Sequence, residues 1–240
     1  MKIPPWLERT ELLLGAEDVE TLQRSHVLVI GRGGVGAYAE EQSCRGGVGE
    51  MTIVDGDAVH ESNRNRQLPA LVSTQGRAKA EVLSERLRDI NPNIKLHVLQ
   101  EYLRDERLDE ILKPSYDFVV DAIDTLSPKV FLLAAAVTNG QRVVTSLGAG
   151  GKVDPMQVRI DDISKTHHCR LGKILRKRLH RLGIRKGITA VYSPEVVGEH
   201  AMRPVEDEPN KKTVVGTISY MPPVFGCCCA SVVLRGIIGK

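Results

Sequence analysis

Short apolar runs alternate with amphipathic stretches along most of the chain, and the two patterns predict different elements. His26-Val27-Leu28-Val29-Ile30 is nearly unbroken in hydrophobicity, as expected of a strand buried on both faces. Runs at Glu50 to Val54, near residue 95, at Phe118 to Val120 and near residue 143 predict four more strands. Between them, Ala80, Val82, Leu83, Leu87 and Ile90 share one side of a helix predicted from Ala78 to Ile90, which Asn91-Pro92-Asn93 ends. One further helix is predicted ahead of the first strand. This alternation, continued to about Leu147, predicts an α/β fold: a doubly wound, mostly parallel sheet with helices on both faces. Beyond Gly151, Val158-Arg159-Ile160 reads as a strand. Leu171, Leu175, Leu179 and Leu182 recur at helical spacing and predict a helix with one buried face. The chain thus divides into residues 1–150, the main domain, and residues 151–240, a smaller C-terminal segment packed on it and expected to face a substrate.

The glycine-rich turn after the first strand makes the sheet Rossmann-like. In Gly31-Arg32-Gly33-Gly34-Val35-Gly36, Gly31 permits a tight turn, Gly33 lets backbone amides approach a phosphate, and Gly36 allows a helix to pack closely on the sheet. The helix that starts there points its positive end at an anion. Asp55 closes the second strand about twenty residues further on, the place of a carboxylate that accepts from ribose hydroxyls. That arrangement suits ATP or NAD, and a structural glycine turn is the bland alternative. The cations after Asp55 favour a triphosphate. Arg66, within Ser62-Asn63-Arg64-Asn65-Arg66-Gln67, offers a planar fork, and Lys79, within Gly76-Arg77-Ala78-Lys79-Ala80-Glu81, offers a point charge. A solvated basic loop is the competing reading. At the end of the Phe118 strand, Asp124 is a candidate ligand for Mg²⁺ on the phosphates, whereas Asp121 is expected to hydrogen-bond a neighbouring loop.

The net charge is only +3, but it is unevenly placed. Lys165, Arg170, Lys173, Arg176, Lys177, Arg178, Arg181, Arg185 and Lys186 occur with no intervening acid, so a basic helix face centred on Lys173, Arg176, Lys177, Arg178 and Arg181 is a candidate surface for nucleic-acid phosphates. A merely solubilising face fits the same pattern. No run of about twenty apolar residues suggests a membrane span, and the N-terminus lacks the pattern of a signal peptide. Five cysteines, an odd number, point to a reducing cytosol rather than a disulfide framework. Neighbours on a helix point about 100° apart, so Cys227, Cys228 and Cys229 cannot converge on one ion, and they are expected to be small residues in a tight helix contact. A reactive thiol at Cys169 or Cys229 is left open. The polar stretch from Glu195 to Thr213, with Pro204, Glu206, Asp207, Glu208 and Pro209, is expected to be a loop over substrate or a tether.

Five ordered motifs carry a resemblance to the ubiquitin-activating-enzyme-like superfamily, whose members adenylate a carboxylate. They are GRGGVG at Gly31 to Gly36, DGD at Asp55 to Asp57, SNRNRQ at Ser62 to Gln67, GRAKAE at Gly76 to Glu81, and DAID at Asp121 to Asp124. The resemblance implies ATP held by Gly31, Gly33, Gly34, Gly36, Asp55, Asp57, Asn63, Asn65, Arg66 and Lys79, with Asp124 on nucleotide or Mg²⁺. It implies catalysis by Arg66, Lys79 and Asp124, and an arginine supplied by the partner subunit, matched by Arg9 or, alternatively, Arg24. Within the superfamily the chain is similar to the tRNA threonylcarbamoyladenosine dehydratases, through Arg9 to Gly15, Gly148 to Pro155 and Gly216 to Gly226. Membership would imply ATP-dependent cyclisation of a modified adenosine in tRNA with loss of water, in a cytoplasmic homodimer, with a sulfur-relay protein as an open further partner. The alternatives are an activator of a ubiquitin-like or sulfur-carrier protein, commonly marked by two Cys-x-x-Cys zinc pairs that this chain lacks, and a non-catalytic nucleotide-gated RNA-binding module. An NAD-dependent dehydrogenase ranks behind both.

Overall fold

The computed structural model describes residues 3–103, 106–204 and 213–240. In chain order its elements are α1 (Glu8–Leu14), α2 (Ala16–Arg24), β1 (His26–Ile30), α3 (Gly36–Arg45), β2 (Glu50–Val54), α4 (Lys79–Ile90), β3 (Lys95–Leu99), α5 (Glu106–Leu112) and β4 (Phe118–Asp121). They continue with α6 (Leu126–Thr138), β5 (Val143–Ser146), β6 (Arg159–Asp162), α7 (Arg170–Arg181), β7 (Thr189–Tyr192), β8 (Met202–Pro204), β9 (Thr213–Val215) and α8 (Met221–Ile237).

Seven strands form one sheet in the order β3-β2-β1-β4-β5-β7-β6, and only the edge strand β6 runs antiparallel. The strand order reverses between β1 and β4, which opens a crevice at their carboxyl ends. β1 shows why its sequence is apolar throughout. Val27 and Val29 enter a core shared with Ala39 and Cys44 of α3, Leu87 of α4 and Phe225 and Cys229 of α8. Leu28 and Ile30 point the other way, into a core with Leu108 and Ile111 of α5, Leu132 and Leu133 of α6 and Leu175 and Leu179 of α7. A strand covered on both sides has no polar face to present.

The five strands expected before Leu147 lie where the apolar runs place them, and α4 ends at Ile90 with Asn91 as its cap. The residues after 151 supply β6, β7, α7 and α8, and α7 and α8 pack on opposite faces of the same sheet.

Several expectations need correction. The N-terminal helix is two helices, because Gly15 at φ 95° breaks the chain between α1 and α2. Leu182 is 52% exposed: α7 ends at Arg181 and Leu182 is only its cap, while Gly172 joins the buried face. Of the cysteine run only Cys229 is fully buried, whereas Cys228 is half-buried and Cys227 exposed, as a rotation of about 100° per residue requires. In the expected substrate loop, residues 206–209 lie outside the described residues, and the flanking β8 and β9 pair as an antiparallel hairpin. Among the described residues no helix is long and apolar enough to cross a membrane.

Candidate active site

The crevice between β1 and β4 is closed by backbone packing that only glycine permits. Gly31 sits at φ +88°, and a Cβ there would lie 2.7 Å from the carbonyl oxygen of Ala122. Gly36 is tighter still, since a Cβ would meet the Gly31 carbonyl oxygen at 1.8 Å. The turn after β1 and the segment after β4 are therefore in direct contact. Gly34 packs under Pro222, at the start of α8, and under the Arg66 carbonyl, while the Gln67 amide lies over Gly33. The sequence 62–67 thus folds back across the glycine turn.

Asp55 follows β2 and uses both carboxylate oxygens on backbone amides, accepting from Arg32 N at 2.6 Å and Asp57 N at 2.7 Å. Burial pushes its carboxyl above the usual range, against the opposing pull of Lys79. Lys79 reaches the same rim because residues 57–59 pair with 76–79: Val59 N donates to the Arg77 carbonyl and Lys79 N to the Asp57 carbonyl. Its ammonium then lies 2.8 Å from Asp57 Oδ2, and Tyr102 donates its hydroxyl to Asp57 Oδ1 at 2.6 Å. Desolvation raises the Asp57 carboxyl, but these two donors outweigh it and hold the group below its ordinary value. Arg66 is turned away from this pair. Its Nη1 donates to the Ser62 carbonyl and to Asn65 Oδ1, and Asn65 in turn donates to the Thr217 carbonyl at 2.9 Å. Asn63 accepts from His60 N and shapes the turn that presents Asn65 and Arg66.

Asp124 is exposed, two residues beyond the Ala122 backbone that abuts Gly31. Asp121, as expected, is structural: it is fully buried, 2.7 Å from Lys129 Nζ and 2.6 Å from the Thr145 hydroxyl. Lys129 also donates to the Ile123 carbonyl, so α6 pins the rim segment from below. Sequence reasoning missed Lys129, and it missed Arg32. The Arg32 side chain is fully buried and forks onto Glu40 of α3 through bonds of 2.9 to 3.0 Å. Burial pushes the Glu40 carboxyl up to about 7, with the Arg32 charge opposing it. A basic residue between motif glycines with an acid one turn into the following helix was the available signal.

Two buried polar atoms beside the turn, Arg32 Nη1 and Gln67 Oε1, have no hydrogen-bond partner within the protein. Uncompensated burial of such atoms is costly. Arg32 Nη1, the glycine-turn backbone and the cation of Lys79 make a donor set that fits a polyphosphate nucleotide, while Gln67 Oε1 offers an acceptor beside it. Arg9 is not part of this cluster within its own chain. It lies on α1, whose Thr10, Leu13 and Leu14 flank Arg45 and Gly46 at the far end of α3, a helix length of roughly 15 Å from the glycine turn. Arg24 is paired with Glu20 on α2.

The basic helix α7 lies over α6. Lys173, Lys177 and Arg181 are exposed. Arg176 donates to the Thr166 hydroxyl and Arg178 to Ser127 Oγ, so these two also hold the helix in place. Cys169 caps α7, its sulfur accepting from Gly172 N. Burial pushes the Cys229 thiol far up, which makes it a poor nucleophile.

A doubly wound sheet with a phosphate-type turn, a buried lysine and acidic rim loops defines a nucleotide-binding enzyme class, and comparison with known proteins narrows it. The pattern of the ThiF family matches residues 7–240. A tRNA threonylcarbamoyladenosine dehydratase of Bacillus subtilis is 36% identical over 225 residues, covering 91% of this chain and 89% of that protein. The Escherichia coli tRNA N6-threonylcarbamoyladenosine dehydratase in complex with ATP superposes with a TM-score of 0.90 at 32% identity, covering 100% of this chain and 98% of the other. Its complex with AMP gives 0.89, with the same identity and coverage. The chain belongs to the ThiF family, within which its likeness is to the tRNA threonylcarbamoyladenosine dehydratases.

Proposed function

We propose that this protein is an ATP-dependent dehydratase that cyclises N6-threonylcarbamoyladenosine in tRNA by activating its carboxylate. The observation that carries the reading is the end-to-end likeness to the ATP-bound E. coli enzyme, combined with a crevice whose unpartnered Arg32 Nη1 and buried Lys79 suit a triphosphate. A carboxylate oxygen of the substrate attacks the α-phosphorus, and pyrophosphate leaves with the electrons of the broken P–O bond. A nitrogen or oxygen within the same modified side chain then attacks the activated carbonyl, and AMP departs. The net change is loss of one water from the nucleoside.

In this reading the protein works mainly by placement and charge. Gly31, Gly33, Gly34 and Gly36 let the backbone approach the phosphates, Asp55 accepts from the ribose, and Asp57 orients Lys79. Asn63 and Asn65 shape the turn that carries Arg66, which swings from its local bonds onto phosphate oxygens. Asp124 would hold Mg²⁺, which supplies charge neutralisation on the phosphates. Lys173, Arg176, Lys177, Arg178 and Arg181 of α7 form the surface for the tRNA backbone. The main domain, residues 1–150, thus holds ATP, and the segment 151–240 faces the tRNA.

The enzyme acts as a homodimer. Leu12 and Leu13 on α1 are 82% and 81% exposed, and Leu13 lines a cavity of about 440 Å³ with Leu14, Leu234 and Ile238, an apolar surface suited to a second copy. In such a dimer Arg9 is the arginine offered to the partner's site. A cytoplasmic location fits five free cysteines and a tRNA substrate.

The test is incubation with ATP, Mg²⁺ and tRNA bearing the threonylcarbamoyl group, followed by nucleoside mass spectrometry. The expected product is lighter by one water. An unchanged nucleoside mass with ATP present would refute the assignment.

A further inference from the structure

At the opposite, amino-terminal edge of the sheet, three neighbouring strands bring together groups that play no part in nucleotide chemistry. His26 opens β1, Glu50 opens β2 and is paired with it in register, and His97 lies in the middle of β3. His97 Nε2 is 2.9 Å from Glu50 Oε1, and His26 Nδ1 is 3.7 Å from the same oxygen. One ligand atom from each of the three residues lies within 4.8 Å of the others. Tetrahedral zinc with bonds near 2.0–2.1 Å holds its ligands about 3.3 Å apart, so small side-chain rotations bring this set to bonding distance.

The geometry points to a zinc site formed by His26 Nδ1, Glu50 and His97 Nε2, with water as the fourth ligand. Two nitrogens and one carboxylate oxygen are a donor set that zinc accepts. The surroundings fit a ligand role as well. His26 Nε2 is bonded to the Thr52 hydroxyl at 2.8 Å, which orients the ring and leaves Nδ1 toward Glu50. Its ring face is set by edge contact with Tyr116, and its backbone amide is held by Asp117 at 2.7 Å. Glu50 also borders a cavity of about 380 Å³ together with Gln23, Asn91 and Lys95, which opens a way to solvent beside the cluster. Lys95 Nζ, 3.9 Å from Glu50 Oε2, is the competing cation, but it sits on an exposed flexible stem and can swing into water.

Such an ion would join β1, β2 and β3 through side chains that are far apart in sequence, Glu50 and His97 being 47 positions apart. Five-residue strands put it roughly 15 Å from the glycine turn. Its effect is on the stability of β1, β2 and β3, since a ligand that binds only the folded chain stabilises it by mass action.

The experiment uses the full chain stripped with chelator and titrated calorimetrically with ZnCl₂, with Co²⁺ absorption as a second reading of coordination geometry. One zinc per chain is expected, together with a zinc-dependent rise in Tm. His97→Ala, at an exposed position, and the near-isosteric Glu50→Gln should each weaken zinc at least about tenfold and abolish the rise in Tm. Cys227→Ser should bind as the parent does. Absence of zinc binding by the parent, parental binding by His97→Ala and Glu50→Gln, or loss of binding in Cys227→Ser would each overturn the site.

Discussion

The Lys79 ammonium lies 2.8 Å from Asp57 Oδ2, with the lysine side chain buried and the carboxylate half exposed. The lysine is thus aimed before any nucleotide arrives, and its partner remains reachable from solvent. Lys79→Ala is expected to lower kcat/KM by about 2–4 kcal/mol, roughly 30- to 1000-fold, since it removes a charge donor at the phosphates. Asp57→Asn keeps the lysine but loosens its aim, and a fall of about tenfold is expected. Steady-state dehydration assays on both variants check the order; equal or inverted effects would contradict these roles.

Arg32 and Glu40 form a buried pair that neither partner can leave cheaply. Glu40→Ala strands a guanidinium in the core and should cost about 3–5 kcal/mol of stability. Urea unfolding monitored by circular dichroism measures it. A loss below about 1 kcal/mol would mean that water or backbone rearrangement rescues Arg32.

The cysteines differ in reactivity for reasons of burial. Burial raises the Cys44 thiol to about 12 and moves Cys229 still further in the same direction, so almost no thiolate exists at either near pH 7.5. Cys227 is raised too, but it is exposed. Maleimide labelling of the native protein with peptide mass spectrometry should find Cys227 first, and Cys44 and Cys229 only after denaturation. Early labelling of Cys229 would reopen a covalent role for it.

If α7 holds the tRNA backbone, its exposed cations set the salt dependence of binding. Replacing Lys173, Lys177 and Arg181 by Ala should flatten the plot of log affinity against log salt by about 0.7–0.9 per lost phosphate contact. These three are better probes than Arg176 and Arg178, whose bonds to Thr166 and Ser127 also serve the fold. An unaltered slope would assign tRNA contact to another surface.

Leu13→Asp places a charge on the exposed apolar side of α1. If two copies pair through this side, sedimentation velocity should show the variant as a monomer at concentrations where the parent sediments as a dimer. A variant that stays dimeric would move the interface elsewhere.

Sequence alone carried much of this architecture, and the reason is local. Apolar runs and glycine spacings act over a few residues, so β1 to β5, the turn after β1 and α4 could be read directly. Lys79 could be picked out from its motif as a candidate phosphate ligand, but its clasp on Asp57 depends on pairing between residues 57–59 and 76–79. β7 was missed because four residues, Thr189 to Tyr192, carry too little pattern to stand out beside a long basic helix. Asp121 with Lys129, and His26 with Glu50 and His97, have no signature at any fixed spacing. Only the order of the strands makes them neighbours.

The contact between Gly31 and Ala122 leaves no room for even a methyl group between two loops that come from different strands. Those loops form one jaw rather than two fingers: a displacement of the phosphate-side loop must be transmitted to the stretch leading to Asp124. Whatever seats on the amides of the first loop therefore also sets the stance of the acid on the second.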